Sequence, residues 1–225
     1  MSNIEIIPAI LPKNFEEVSE NASLVKGLVK TVQVDICDGQ FVPNITWPLK
    51  RDDEYFARIL QQQEGLPFWD ELDYEFDLMV NWHDPKRIED WVQAGATRII
   101  LHVESKGDLL QVTETVFGQV EIGLALNIDT PIDVLEPFKD KIQFIQLMGI
   151  DRVGFQGQPF DPKVIDKIKQ VKSKYPEFPI SIDGAVSLAT AKDLIRAGAT
   201  RLVVGSAIFD SENIAETIEQ FKELV

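Results

Sequence analysis

The sequence predicts one (β/α)8 barrel spanning residues 1–225, and three observations carry that prediction. Apolar strand-like runs and amphipathic segments alternate eight times, with no linker or low-complexity break between them. The phrases AGATRII (94–100) and AGATRLV (197–203) are near copies at two helix-to-strand joints, the mark of a repeated βα unit. No GxGxxG follows the first strand, which argues against the runner-up, a doubly wound open sheet.

Each element has its own justification. Ile4 to Leu11 is an apolar run stopped by Pro12 and reads as a buried strand. Asn14 with Glu17 three places on has the form of a helix start, and that helix runs to about Leu28. In Thr31 to Cys37, Val32, Val34 and Ile36 share one strand face; Gln33, Asp35 and Cys37 share the other. A carboxylate on a strand otherwise rich in β-branched residues is costly unless it is paired or bound to a cation. A turn-rich stretch, Asp38 to Pro48, precedes a charged helix near Asp52 to Gln63. Leu72 to Val80 is the third strand, with Phe76, Leu78 and Val80 on one face and Glu75, Asp77 and Met79 on the other. Asp84-Pro85 opens a helix as cap and first position, and Gly95 closes it. Arg98 to Val103 and Glu121 to Asn127 are strands four and five, with a helix between them. Thr130-Pro131 starts a helix, and Ile142 to Met148 is strand six. Asp161-Pro162 starts a helix to about Lys174, followed by strand seven at Pro179 to Asp183. Ser187 to Ala197 is a helix closed by Gly198, Arg201 to Gly205 is strand eight, and Asn213 to Leu224 is the last helix.

Composition narrows the function. The chain is 44% hydrophobic and 26% charged, which fits a folded domain with a sizeable core. A formal net charge of −15 argues against a nucleic-acid or anionic-membrane partner. A small anionic substrate stays open, because local backbone N–H groups bind phosphate whatever the global charge. The one cysteine, Cys37, excludes an intrachain disulfide framework and CxxC metal knuckles. The N-terminus lacks the basic start and apolar run of a signal peptide, and no run reaches membrane-spanning length. The expectation is a soluble, cytoplasmic protein.

In such barrels the chemistry sits at the carboxyl ends of the strands. The polar residues placed there are Gln33, Asp35, Asp77, His102, Asn127 and Asp183, with Met79 beside them. Three carboxylates at one mouth raise each other's pKa unless a cation lies among them. The pattern therefore predicts a bound divalent metal or at least one protonated aspartate. Plainer roles stand beside these. Asp183 before Gly184 suits a turn, His102 can be satisfied inside its strand, His83 suits a loop and Cys37 suits packing. Glycine-rich stretches after strands six, seven and eight (154–158, 183–186 and 205–207) let backbone N–H groups approach a phosphate.

The phrases VDICDGQFVPNIT (34–46), DLMV (77–80), GLALN (123–127), GFQGQ (154–158), IDGAV (182–186) and GSAIF (205–209) occur in this order over nearly the whole chain. In this set the sequence resembles the ribulose-phosphate 3-epimerase family, whose fold is a ribulose-phosphate-binding TIM barrel. The resemblance implies acid and base roles for Asp35 and Asp183 on opposite faces of a sugar phosphate, epimerising D-ribulose 5-phosphate and D-xylulose 5-phosphate at C3. It implies substrate and phosphate contacts at Met79, Met148, Gly154, Phe155, Gly157, Gly184, Gly205 and Ser206, and a homo-oligomer. The family's metal, often zinc, is held by two aspartates and two histidines. Here Gln33 and Asp77 stand where those histidines are expected. Further departures are Ala9, Cys37, Ala185 and Gln156, and a link at 149–153 that is one residue longer. The set Gln33, Asp35, Asp77 and Asp183 is all oxygen, which favours Mg2+ or Mn2+ over Zn2+, or no metal at all. Two other readings are a non-catalytic sugar-phosphate-binding relative and a different enediolate enzyme, an aldolase or decarboxylase. Against the latter, the sequence has no DxKxxD phrase.

Overall fold

The structure, a computed structural model, describes residues 4–50, 53–155 and 157–224. Eight parallel strands close into a barrel in chain order: β1 (Glu5–Ile10), β2 (Thr31–Cys37), β3 (Asp73–Met79), β4 (Arg98–His102), β5 (Glu121–Leu126), β6 (Phe144–Met148), β7 (Ile180–Asp183) and β8 (Arg201–Val204). Each lies within the run expected for it. The helices are α1 (Phe15–Val25), α2 (Glu54–Leu60), α3 (Ile88–Gln93), α4 (Leu109–Val116), α5 (Lys163–Lys174), α6 (Leu188–Ala197), α7 (Ser206–Phe209) and α8 (Ile214–Lys222). Asp52, the expected start of the second helix, and Gln156 of the GFQGQ phrase lie outside the described residues.

Strand alternation sorts the side chains. Val32, Val34, Ile36, Phe76, Leu78, Ile145 and Leu147 face outward into the apolar layer beneath the helices, while their neighbours in sequence face the lumen. Asn14 caps α1, accepting from the Glu17 backbone N–H at 2.9 Å. Two segments differ from expectation. Thr130-Pro131 leads into a 3-10 helix, Ile132–Phe138, and not an α-helix, in keeping with Pro137 inside it, whose ring would clash with the carbonyl four residues back in an α-helix. Asp84-Pro85 likewise opens a 3-10 turn, Pro85–Arg87, before α3 begins. Among the described residues no helix is long and apolar enough to cross a membrane.

The two AGATR phrases build equivalent joints. Gly95 and Gly198 take left-handed φ values of 100° and 125° at the ends of α3 and α6. Thr97 and Thr200 donate their backbone N–H groups to Tyr74 and Ile180. Arg98 and Arg201 then turn into the amino-terminal end of the barrel, where they meet Glu5, Glu75 and Glu121 at 3.1–3.7 Å. Burial pushes the Glu75 carboxyl up to about 7 against the pull of Arg98.

Candidate active site

β2 and β3 run in register, with Asp35 opposite Asp77, and Met148 lies opposite Asp183 across β6 and β7. The three aspartates meet at the carboxyl end, each offering an oxygen within 4.8 Å of the others. The Gln33 amide lies between two of them: Nε2 donates to Asp35 Oδ1 at 2.8 Å and to Asp183 Oδ2 at 3.2 Å. Asp77 sits lower and is wholly buried. Its Oδ1 is 3.0 Å from His102 Nε2, and its Oδ2 accepts from Gln146 Nε2 at 3.1 Å. The Ser181 hydroxyl donates to Gln146 Oε1 at 3.3 Å. Gln146 and Ser181 escaped the sequence reading. The available signal was a polar residue at an inward position of an otherwise apolar strand, in FIQLM and ISID.

The electrostatics follow from burial and crowding. Burial, then Asp183 and Asp77, hold the Asp35 carboxyl well above the usual range; the Gln33 hydrogen bond opposes them. Burial and Asp77 push Asp183 up to about 7, against Gln33, His102 and the Gly184 backbone. Burial pulls the His102 imidazole down, but Asp77, with Glu104 and Asp183 behind it, outweighs that and the net shift is upward. Without a cation, burial and mutual repulsion thus favour the protonated form at the upper two aspartates.

Above them opens a cleft of about 440 Å³, the size of a small-metabolite site. Asp35 and Asp183 line it, with Met79, Met148, Gly154, Phe155, Gly157, Gly184, Gly205 and Ser206. Every residue expected to touch substrate or phosphate is therefore on its wall. Gln33 and Asp77 are not; they form the layer beneath. Among the described residues no Lys or Arg lines the cleft, and Asp210 does. The strand ends are crowded: a Cβ on Gly149 would lie 2.4 Å from the Gly184 carbonyl oxygen. Ala185 holds a left-handed φ of 54°, a conformation a glycine adopts freely and an alanine only at a cost.

The remaining candidates take plainer places. The Asn127 N–H donates to Glu104 Oε1 at 2.8 Å, and the residue does not line the cleft. Cys37 packs with Val42 and Met79, and burial with Asp35 and Asp77 pushes its thiol up. His83 lies on a loop, 3.0 Å from Gln40 Oε1.

The donor set fits a hard divalent cation. It is all oxygen, and the buried Gln33 Oε1 has no hydrogen-bond partner. A half-turn of the amide would swap that oxygen for the Nε2 now aimed at Asp35 and Asp183. The imidazole nearest the cluster is already engaged by Asp77.

The description "Ribulose-phosphate 3 epimerase family" belongs to the family model that matches residues 5–209. The ribulose-phosphate 3-epimerase of Bacillus subtilis is 31% identical over 227 residues, covering 97% of this chain and 98% of that one. That of Synechocystis is 32% identical over 228 residues, covering 96% and 92%. In fold, the chain is similar to 3-hexulose-6-phosphate synthase from Salmonella typhimurium (TM-score 0.71, 13% identity, covering 98% of each chain). It is likewise similar to KGPDC from Streptococcus mutans (TM-score 0.71, 14% identity, covering 98% and 97%). The match along nearly the whole length shows that the chain belongs to the ribulose-phosphate 3-epimerase family, a family of isomerases.

Proposed function

We propose that the chain is a single barrel domain that epimerises a ketose phosphate at C3, interconverting D-ribulose 5-phosphate and D-xylulose 5-phosphate. The observation that carries this reading is the pair of aspartates, Asp35 and Asp183, on the wall of one cleft, both bonded by the Gln33 amide and both held above the usual carboxylate range. Epimerisation needs one ionised carboxylate and one carboxylic acid at the same moment. The ionised aspartate takes the C3 proton; the C3–H electron pair moves into C2–C3 and the C2 carbonyl oxygen becomes negative. The protonated aspartate then returns a proton to C3 from the opposite face, and the pair ends with its protonation reversed. Asp35 and Asp183 are thus base and acid in one direction and acid and base in the other. Met79 and Met148 flank the floor as apolar walls that keep water from the planar intermediate.

Asp35, Asp77, Asp183 and the Gln33 amide oxygen are the groups that would hold a divalent cation, Mg2+ or Mn2+ before Zn2+. Such a cation, when bound, supplies positive charge for the oxygen that turns negative as the proton leaves. The glycine loops with Gly154, Gly157, Gly184 and Gly205, together with Ser206, hold the phosphate by backbone N–H groups and a hydroxyl.

The test is hydrogen exchange at C3 in D2O with added Mn2+ or Mg2+, followed by NMR on D-ribulose 5-phosphate. Deuterium at C3 together with formation of the epimer is the expected result. A folded protein that exchanges nothing under either metal would overturn the proposal.

A further inference from the structure

Barrel lumens of this kind are ordinarily filled by branched apolar side chains. Beneath Asp35 and Asp183 this one is polar: Gln33, Asp77, His102 and Gln146 are wholly buried, and Ser181 is 1% exposed. Burying that many polar groups is unfavourable unless they satisfy one another. Asp77 is where the partners converge. Its two oxygens are taken by donors from two different strands, His102 of β4 on Oδ1 and Gln146 of β6 on Oδ2. The Gln146 contact crosses the lumen to a strand three places away. On β5, in between, Ala125 packs with Ile100 and Phe144, and the Phe144 ring lies over Gly123.

We propose that Gln146, oriented by Ser181, is a positioning residue that fixes the plane of the Asp77 carboxylate for cation binding. The proposal rests on the reading of Asp77 as a cation ligand. A single donor such as His102 would hold one oxygen and leave the carboxylate free to turn about Cβ–Cγ. The second donor, on the other oxygen, removes that freedom. Each oxygen keeps a lone pair beyond its protein partner, and one oxygen already lies within 4.8 Å of those of Asp35 and Asp183. Ser181 sets the sense of the Gln146 amide: its hydroxyl donates to Oε1, so that Nε2 faces Asp77. Gln146 does not line the cleft, so its effect reaches substrate only through Asp77.

The experiment compares the wild type with Gln146→Met, which keeps the length of the side chain and loses the donor, and with Ser181→Ala. Mn2+ affinity is read from the free-ion signal in electron paramagnetic resonance, and kcat and KM are measured on D-ribulose 5-phosphate. Gln146→Met should weaken Mn2+ binding about 10- to 100-fold, the usual effect of removing a group that orients a metal ligand. It should lower kcat while KM stays within about two-fold. Ser181→Ala should weaken Mn2+ binding roughly three- to five-fold, in line with one neutral hydrogen bond. Wild-type Mn2+ affinity in a folded Gln146→Met overturns the proposal; should that variant not fold, wild-type affinity in Ser181→Ala overturns it. A wild type that takes up no Mn2+ removes the ligand reading of Asp77 itself, and the positioning role falls with it.

Discussion

Asp183→Asn should make the metal-free protein more stable while abolishing turnover. Asp183 is raised from 3.8 to about 7 in the folded state. Below pH 3.8 the carboxyl is protonated in both folded and unfolded chains and costs nothing. As pH rises from 3.8 to about 7, the unfolded chain releases its proton while the folded one keeps it, so stability falls. Above about 7 the folded barrel carries the charge and the full penalty remains. At about 1.36 kcal/mol per pH unit, that interval amounts to about 4 kcal/mol. The figure is an upper bound, because Asp35 and Asp183 titrate as a pair. Asparagine is nearly isosteric, can still accept from Gln33 Nε2, and carries no such penalty. In urea melts with EDTA at about pH 8 the variant should exceed the wild type by about 2–4 kcal/mol, and the gap should close toward about pH 4. Adding Mn2+ should stabilise the wild type and leave the variant unmoved. A variant no more stable at the higher pH, or a gap that stays constant across that range, would refute the electrostatic reasoning.

Two further outcomes are expected. Gln33→His combined with Asp77→His replaces two oxygen donors by imidazoles, so the purified double variant should retain zinc after dialysis where the wild type does not, as read by elemental analysis. Asp210→Asn removes the exposed carboxylate from a cleft wall without a lysine or arginine among the described residues, so KM for a sugar phosphate should fall roughly two- to three-fold at low salt and converge with the wild type near about 0.5 M NaCl, where the Debye length is only about 4 Å.

The strands were legible because each is a short run bounded by turn or cap residues, and the faces of β2 and β3 could be assigned residue by residue from alternation alone. The cleft residues were legible for a related reason: Gly154, Gly184, Gly205 and Ser206 follow strand ends, and closure of the barrel brings those ends together whatever the details. Pro137 was legible in principle, since a proline so placed removes a donor and its ring clashes with the carbonyl four residues back in an α-helix. Gln146 was hidden for a deeper reason. Its partner lies 69 residues away, and the contact depends on how two non-adjacent strands are staggered across the lumen. Local pattern carries no such information. The same holds for Asp77, which shares a strand face with Met79 yet lies one layer lower, out of the cleft and against His102.

The ion cluster at the amino-terminal end has a consequence for how the chain reaches this state. Glu5 stands in the first strand and Arg201 in the last, directly paired in the ladder that shuts the ring and 3.3 Å apart through their side chains. Glu5 also accepts from Thr31 at 2.8 Å and from Arg98 at 3.1 Å, so one carboxylate ties together strands one, two, four and eight. None of the ties to Arg201 exists until β8 has been made and has paired with β1. Until then β1 and β7 are open edges, and Glu75 has only Arg98 to offset its burial. The cluster therefore acts as a latch that rewards closure of the barrel: Glu5 and Arg201 are the two halves of the clasp, and a product without β8 keeps β1 and β7 unpaired.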